Sequence, residues 1–472
     1  MWLAKATGRI TRLSGRWGGT TLPGKVALKL WPSATSDLAK RLRKGSVVLS
    51  ATNGKTTTAR LLSSCAKADG LSVCANSAGA NLVSGVTTAL LPLASSKYHY
   101  DYGIFEVDEA ALPNVSERIS PQLVLLMNLF RDQLDRHGEL ELIAQRWQDM
   151  ISKLNPSTKL LVNADDPALV ALAEGREDTL FFGISDPCVD RGRLPHAADA
   201  TRCRHCRVTL AYDIHTVGHL GKWRCENCGW QRPNLHYEAN QIRREEPIQL
   251  STPDGTLEFT TSLPGLHNSY NTIAAATAAH ALGFSDKAIA KSVSETDPVF
   301  GRWETLIIGD KKIVILLAKN PTGANENIRT INDAIASSES LSSEASSHLP
   351  TLLIILNDRV ADGHDVSWIW DVDYEDLLSS SSHIICSGDR AYELGLRFRY
   401  SNIQGSDIDT REPDTATTFP TIEVIPSLVA SLDRAIETPS GTIFALPTYT
   451  ATLELRSELT SRGIASPFWE TN

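Results

Sequence analysis

No run of 18 or more apolar residues occurs in the 472-residue chain, which excludes a membrane-spanning helix. The basic N-terminus lacks the apolar centre of a signal peptide, so a cytoplasmic location is expected. An overall excess of positive charge is missing too. Formal charge is −9, from 46 Lys and Arg against 55 Asp and Glu, which argues against general nucleic-acid binding. Eight cysteines are too few for a disulfide scaffold at this length. No internal repeat of solenoid period is found.

What is present is ordinary for a large globular protein: 42% hydrophobic and 21% charged residues, with length for about three domains. Charge is spread unevenly. Residues 1–45 hold ten Lys or Arg and one acid, Asp37, giving +9 and leaving −18 for the rest. This basic arm, interrupted by Gly18-Gly19 and Pro23, predicts two short amphipathic helices. It reads either as an arm packed on the first domain or as a peripheral contact with an anionic membrane face, where each Lys or Arg contributes about 1 kcal/mol.

From Ser46 short apolar runs alternate with helical patterns. Ser46–Ser50, Gly103–Val107, Leu123–Met127 and Lys159–Val162 read as buried strands, and Thr56–Ala68 as a helix closed by Gly70. Such alternation predicts an α/β fold with a parallel sheet. An Ala-rich helix is expected over Ile273–Leu282. A second α/β block follows from about Gly301, with strands Lys312–Leu317, Thr351–Leu356, His383–Cys386 and Thr442–Leu446. Between its first two strands, Ser337–Ser347 holds seven serines in eleven residues and reads as a surface loop.

Three segments carry chemistry. Ala51-Thr52-Asn53-Gly54-Lys55-Thr56-Thr57 lies between a strand and a helix, a placement that aims backbone N–H groups and a helix dipole at phosphate. Lys55 would reach the β/γ-phosphates of ATP and Thr56 would ligate Mg²⁺, although Leu49 stands where a strict P-loop has glycine. Cys203-x₂-Cys206-x₁₈-Cys225-x₂-Cys228 pairs two knuckles as in a zinc ribbon, predicting a closed structural Zn²⁺ site within the insert 198–232. Asp358, Asp362, Asp365, Asp371 and Asp373 crowd the stretch after the Thr351–Leu356 strand, where α/β sheets place ligand sites. Trp368 and Trp370 bracket Ile369 there and suggest an aromatic anchor for the loop.

The first segment resembles the ATP-binding loop of Mur ligases and folylpolyglutamate synthases, G-T-N-G-K-[ST], with Ala51 in place of the first glycine. Further resemblances follow in the family's order. Glu106 stands where the family has a Mg²⁺-binding glutamate, and Asn163-Ala164-Asp165-Asp166-Pro167 is similar to its N-x-D-D-P turn. His267-Asn268 and Asn271 match G-x-H-N-x-x-N, in which an asparagine lies against adenine. Gly301-Arg302-Trp303-Glu304 resembles G-R-x-E, and Ala318-Lys319-Asn320-Pro321 replaces A-H-N-P. The resemblance implies ATP and Mg²⁺ on Asn53, Gly54, Lys55, Thr56, Thr57, Glu106, His267, Asn271 and Arg302, with Asp108 and Glu109 close enough to join the metal shell. It implies a carboxylate activated as an acyl phosphate and then attacked by an amine.

The ribbon together with A-D-G-x-D-x-S-W-I-W-D is similar to the MurT group of that family, the ligase subunits of lipid II isoglutaminyl synthase. Membership would imply amidation of the D-glutamate α-carboxylate of lipid II to D-isoglutamine, with Asp365 as the catalytic aspartate and Asp362 next in line. Asp365 would act either in the ligase cleft or by completing a partner's glutaminase site. The contexts of Cys65, Cys74, Cys188 and Cys386 contain no G-x-C-x-G elbow, so ammonia is expected from a GatD-like glutaminase subunit. Only 45 residues precede the ATP-binding domain, fewer than the domain that binds a UDP-sugar, as suits a lipid-borne substrate. The expected layout is a basic arm (1–45), a central ATP-binding domain with the ribbon insert (46–300) and a Rossmann-like C-terminal domain (301–472). Other readings are a Mur-like ligase for a folate or peptide acceptor, and a zinc-ribbon binding protein with a regulatory ATPase core.

Overall fold

The computed structural model describes residues 21–76, 79–131, 140–195, 198–243, 246–296, 302–339, 349–404 and 420–465. These fall into two compact units, the first chiefly residues up to 297 and the second chiefly from 298 onward.

The first unit opens with helices α1 (Leu22–Leu30) and α2 (Ala34–Ala39), the described part of the basic stretch. Pro23 sits in the first turn of α1, where a missing N–H costs nothing. Gly24 approaches the Ser84 carbonyl so closely that a Cβ would lie 1.8 Å from its oxygen. Ala34, Leu38 and Leu42 join the core, so this part of the arm is built into the domain. Residues 1–20 lie outside the described residues.

A βα alternation follows: β1 (Gly45–Ser50), α3 (Lys55–Ala68), β2 (Val73–Ala75), α4 (Val83–Leu90), β3 (Tyr102–Glu106), α5 (Leu112–Ile119) and β4 (Leu123–Leu126). It continues through α6 (Leu140–Lys153), β5 (Lys159–Asn163), α7 (Pro167–Ala173) and β6 (Leu180–Ile184). The insert contributes a hairpin, β7 (Ala211–His215) and β8 (Gly221–Arg224). Then come β9 (Tyr237–Gln241), β10 (Ile248–Thr252), β11 (Gly255–Phe259), α8 (Leu266–Ala281) and α9 (Asp286–Ser294).

Nine strands form one sheet in the order β11-β10-β9-β6-β5-β4-β1-β3-β2. Val47, Leu49, Leu123 and Leu125 face one core while Val48, Val124 and Leu126 face the other. Helices cover both faces, which is why these strands read as unbroken apolar runs. The sheet is mixed, not purely parallel: β10 pairs antiparallel with β9 and β11. In that hairpin Ile248, Leu250, Leu257 and Phe259 are buried while their neighbours are not, so one face meets solvent and the apolar runs are too short to stand out. Helix α8 also starts earlier than the Ala-rich run suggested, because Gly265 (φ 90°) turns the chain directly into it.

The second unit has β12 (Arg302–Ile308), β13 (Lys311–Leu316), α10 (Pro321–Glu339), β14 (Thr351–Ile355), β15 (His383–Ser387) and α11 (Ala391–Gln404). It closes with β16 (Thr421–Val424), α12 (Leu428–Glu437), β17 (Thr442–Pro447) and α13 (Tyr449–Ser461). The order is β12-β13-β17-β14-β15-β16, parallel except for the β12–β13 pair. Trp303 takes positive φ (62°) at a bulge in β12, where its ring packs 6.0 Å from Phe444. Most of the serine-rich stretch, residues 340–348, lies outside the described residues.

Candidate functional site

The phosphate-type loop leaves the C-terminal end of β1 and enters α3 at Gly54, whose φ of 92° only glycine adopts without strain. The first N–H groups of a helix have no acceptor within it, which is how a loop-to-helix turn of this kind can bind phosphate. Asn271, in the first turns of α8, lies beneath it: a Cβ on Gly54 would stand 1.9 Å from Asn271 Oδ1. Its amide donates to Asn268 Oδ1 at 3.1 Å, and its carbonyl accepts from Thr58 at 3.3 Å. The structure thus brings Asn271 against the loop itself, and it is 3% exposed. His267 is half-buried one turn earlier on the same helix.

Lys55 Nζ is held by the Ala51 carbonyl and by Glu109 Oε2 at 2.7 Å, with Glu109 only 4% exposed. Sequence proximity had suggested Glu109 for a metal shell; in this structure it neutralises the loop lysine. Asp108 instead accepts from the Ala110 N–H at 3.2 Å. Glu106, at the end of β3, lies beside Leu49 of β1 in register. It is buried, and its Oε2 has no hydrogen-bond partner. An orphaned buried carboxylate oxygen next to a Thr56-bearing loop fits a divalent cation.

The loop is pinned from the β4 side. Thr52 Oγ1 donates to the Phe130 carbonyl (3.1 Å) and accepts from the Phe130 N–H (3.0 Å). Asn128 accepts from Asn53 N–H (2.9 Å) and donates to Asn53 O (3.0 Å).

In the insert, the four cysteine sulfurs lie within 4.8 Å of one another. Tetrahedral Zn–S bonds of about 2.3 Å place sulfurs about 3.8 Å apart, so the set fits one ion. The knuckles repeat each other: Arg207 N–H bonds Cys203 O (2.9 Å) and Gly229 N–H bonds Cys225 O (3.0 Å). Both residues have positive φ, 66° for Arg207 and 76° for Gly229. The Val208 N–H lowers the Cys206 thiol pKa, whereas at Cys228 the Trp230 N–H is opposed by burial and the neighbouring thiols, which raise it. Trp223 donates to the Ala164 carbonyl at 3.0 Å, and Arg232 binds Asp165 at 2.7 Å, fastening the ribbon to the Asn163–Pro167 turn. By contrast, burial pushes the Cys65, Cys74 and Cys386 thiols up to about 12, which suits inert core cysteines.

In the second unit, Asn320 caps α10 through the Gly323 N–H (2.8 Å), with Pro321 at its first position. Arg302 opens β12. Asp362 is 4% exposed and accepts from the Thr450 N–H (2.8 Å) at the start of α13, so it anchors the loop. Asp365 is exposed. Ser367 hydrogen-bonds its carboxylate, the backbone N–H at 2.8 Å, and holds it below the usual carboxylate range. The expected aromatic anchor is rearranged: Ile369 is buried and Trp368 half-buried, while Trp370 is 47% exposed beside Tyr400.

Residues 50–228 match the Mur ligase middle domain model and residues 317–452 the MurT ligase C-terminal model. The chain is 33% identical over 456 residues to the lipid II isoglutaminyl synthase (glutamine-hydrolyzing) subunit MurT of Streptococcus pneumoniae, covering 94% of this chain and 93% of that one. It belongs to the MurT family. The Staphylococcus aureus (strain N315) MurT subunit is 31% identical, over 88% of this chain and 90% of its own. Among solved structures, a pseudomurein peptide ligase type C from Methanothermus fervidus gives a TM-score of 0.64 at 20% identity, covering 90% of this chain and 80% of that one. MurF ligase from Thermotoga maritima, solved with ADP, gives 0.60 at 14% identity, covering 93% and 85%. These two likenesses establish the Mur ligase α/β fold.

For this MurT-family chain, sequence reasoning missed the Lys55–Glu109 pair and His219. His219 is fully buried, with Nε2 3.2 Å from Asp166 Oδ1. The segment His215-Thr216-Val217-Gly218-His219 matches no motif; only the fold brings His219 to Asp166.

Proposed function

We propose that the chain is the ligase subunit of a glutamine-dependent amidating enzyme acting on lipid II. It is an ATP-dependent carbon–nitrogen ligase of peptidoglycan synthesis, and the near full-length match to MurT subunits carries the assignment. The proposed layout keeps a basic arm (1–45), a central ATP-binding domain with a zinc ribbon (46–300) and a Rossmann-like C-terminal domain (301–472).

In the proposed reaction a D-glutamate α-carboxylate oxygen attacks the γ-phosphorus of ATP, and ADP leaves. Ammonia then attacks the carbonyl carbon of the acyl phosphate, inorganic phosphate departs, and loss of a proton gives D-isoglutamine. Asn53, Gly54, Lys55, Thr56 and Thr57 would bind the phosphates, and His267, Asn271 and Arg302 are proposed as further nucleotide-binding residues. Thr56 and Glu106 would hold Mg²⁺, which when bound supplies charge neutralisation for phosphoryl transfer. Lys55 leaves Glu109 for phosphate as ATP enters, so the charge that stabilises the transferring group is stored beside the loop. Cys203, Cys206, Cys225 and Cys228 would hold a structural Zn²⁺.

The amido donor is proposed to be glutamine, hydrolysed by a GatD-like partner. Exposure of Asp365 on an anchored loop supports a role towards that partner, orienting the histidine of its Cys–His pair. Next to the loop, Tyr392, Leu396 and Tyr400 form an exposed stripe at i, i+4, i+8 on α11, continued by Trp370. Exposed large apolar side chains of this kind suit a subunit interface. No described helix is long and apolar enough to cross a membrane. A cytoplasmic protein, peripheral at the inner membrane face where lipid II is presented, fits the basic arm. The test is product formation from lipid II, ATP and glutamine with and without the glutaminase. Amidation that needs neither partner nor ammonia would overturn the reading.

A further inference from the structure

We infer that His219, contributed by the ribbon insert, is a positioning residue for the phosphate loop. The inference rests on reading Gly54–Thr56 as the ATP site. Asp166 is wholly buried and serves four groups at once. Its Oδ1 accepts from Ala168 N–H (2.8 Å) and Leu169 N–H (3.3 Å), capping α7, and faces His219 Nε2 at 3.2 Å. Its Oδ2 accepts from Leu129 N–H at 2.8 Å. The His219 ring also meets the Phe130 ring edge-on, centroids 4.8 Å apart. Leu129 and Phe130 are therefore fixed from behind by the insert, and in front Phe130 makes both backbone bonds to Thr52.

The chain of contacts is continuous: His219 to Asp166 and Phe130, then to Thr52, two residues before Gly54. Each link is buried, so water cannot substitute for a lost partner. Burial alone would lower the His219 pKa, but the nearby Asp166 carboxylate opposes this and the net direction is upward. Without His219, buried Asp166 is left with its three backbone N–H donors alone, and Phe130 loses one wall. The β4 end then shifts, and Thr52 carries the shift into the loop. Binding of phosphate at N–H groups depends on their fixed direction, so nucleotide affinity falls while the partner's glutaminase and lipid II binding do not.

The experiment uses the full chain with its glutaminase partner and compares His219→Ala, Phe130→Leu, Thr52→Val and the His219→Ala/Thr52→Val double variant. A non-hydrolysable ATP analogue is titrated, KM for ATP is measured beside that for lipid II, and bound zinc is counted. His219→Ala should weaken analogue binding and raise KM for ATP by about 5- to 20-fold, with zinc and KM for lipid II unchanged. Phe130→Leu, which leaves no buried charge unpaired, should move both in the same direction and decides the matter if His219→Ala does not fold. The double variant should be less than additive, because both residues act through Phe130. Unchanged nucleotide affinity with only a lower melting temperature, or fully additive effects, would overturn the inference. Failure of the wild type to bind the analogue would instead overturn the ATP-site reading.

Discussion

Replacing Arg232 by alanine offers a sharp test of how the ribbon is fastened. Asp165 is 0% exposed and accepts from Arg232 Nη1 (2.7 Å), Tyr270 OH (2.6 Å) and the Ile184 N–H (2.8 Å). Arg232 itself is 6% exposed and also donates to the Ile184 carbonyl and Ser185 Oγ, both at 2.8 Å. Removing one member of a buried pair typically costs about 3–5 kcal/mol, since the other charge is left without compensation. For a unit of this size that is a fall in melting temperature of roughly 6–20 °C. Burial already raises the Asp165 pKa, with Arg232 opposing the shift. Loss of the guanidinium raises it further. A carboxyl whose folded pKa lies above its unfolded value is most favourable to folding when protonated, so that stability is lost as pH rises towards the folded pKa. The Arg232→Ala protein should therefore lose stability relative to wild type as pH rises above the ordinary carboxylate range, by up to about 1.4 kcal/mol per pH unit while Asp165 remains protonated. Thermal unfolding of zinc-loaded protein across that range measures it. Replacing both partners, Asp165→Leu with Arg232→Met, should recover much of the loss. A shift below 2 °C for Arg232→Ala, flat with pH, would refute the argument.

Four further outcomes are expected. Purified protein should contain one Zn²⁺ per chain by elemental analysis, and Cys203→Ser or Cys225→Ser should lose it together with thermal stability, because metal binding there is folding free energy. Lys55→Ala should lower amidation by about 10²-fold or more; since it strands buried Glu109, circular dichroism of Lys55→Ala/Glu109→Gln separates a fold defect from a catalytic one. Asp365→Asn should lose glutamine-dependent amidation about as badly as Asp365→Ala yet recover with concentrated free ammonia; failure to recover would place the aspartate in the ligase cleft. Leu396→Glu should abolish co-purification of the glutaminase while leaving ammonia-driven amidation intact, as an exposed position on α11 carries no core.

The sequence by itself determined a good deal. Runs such as Ser46–Ser50 and Leu123–Met127 are apolar on both sides of the pleat, which only a sheet covered on both faces requires, and the α/β alternation followed. Cys203, Cys206, Cys225 and Cys228 were legible because ligand spacing is local, and so was the Gly54-Lys55-Thr56 turn, which needs only a strand before it and a helix after. Other features depend on residues distant along the chain. Whether a sheet edge is parallel or antiparallel is set by how β9, β10 and β11 return, and half-exposed strands there leave too weak a pattern. Asp362 and Asp365 look alike in sequence. Tertiary structure separates them: α13 brings Thr450 to Asp362 and buries it, while Asp365 turns on Ser367 and stays in solvent. Lys55 and Glu109 are 54 residues apart, and His219 and Asp166 are 53 apart, with no periodicity linking either pair. Those pairings exist because strand ends converge on one edge of the sheet, where a buried charge is stable only against a partner the fold delivers.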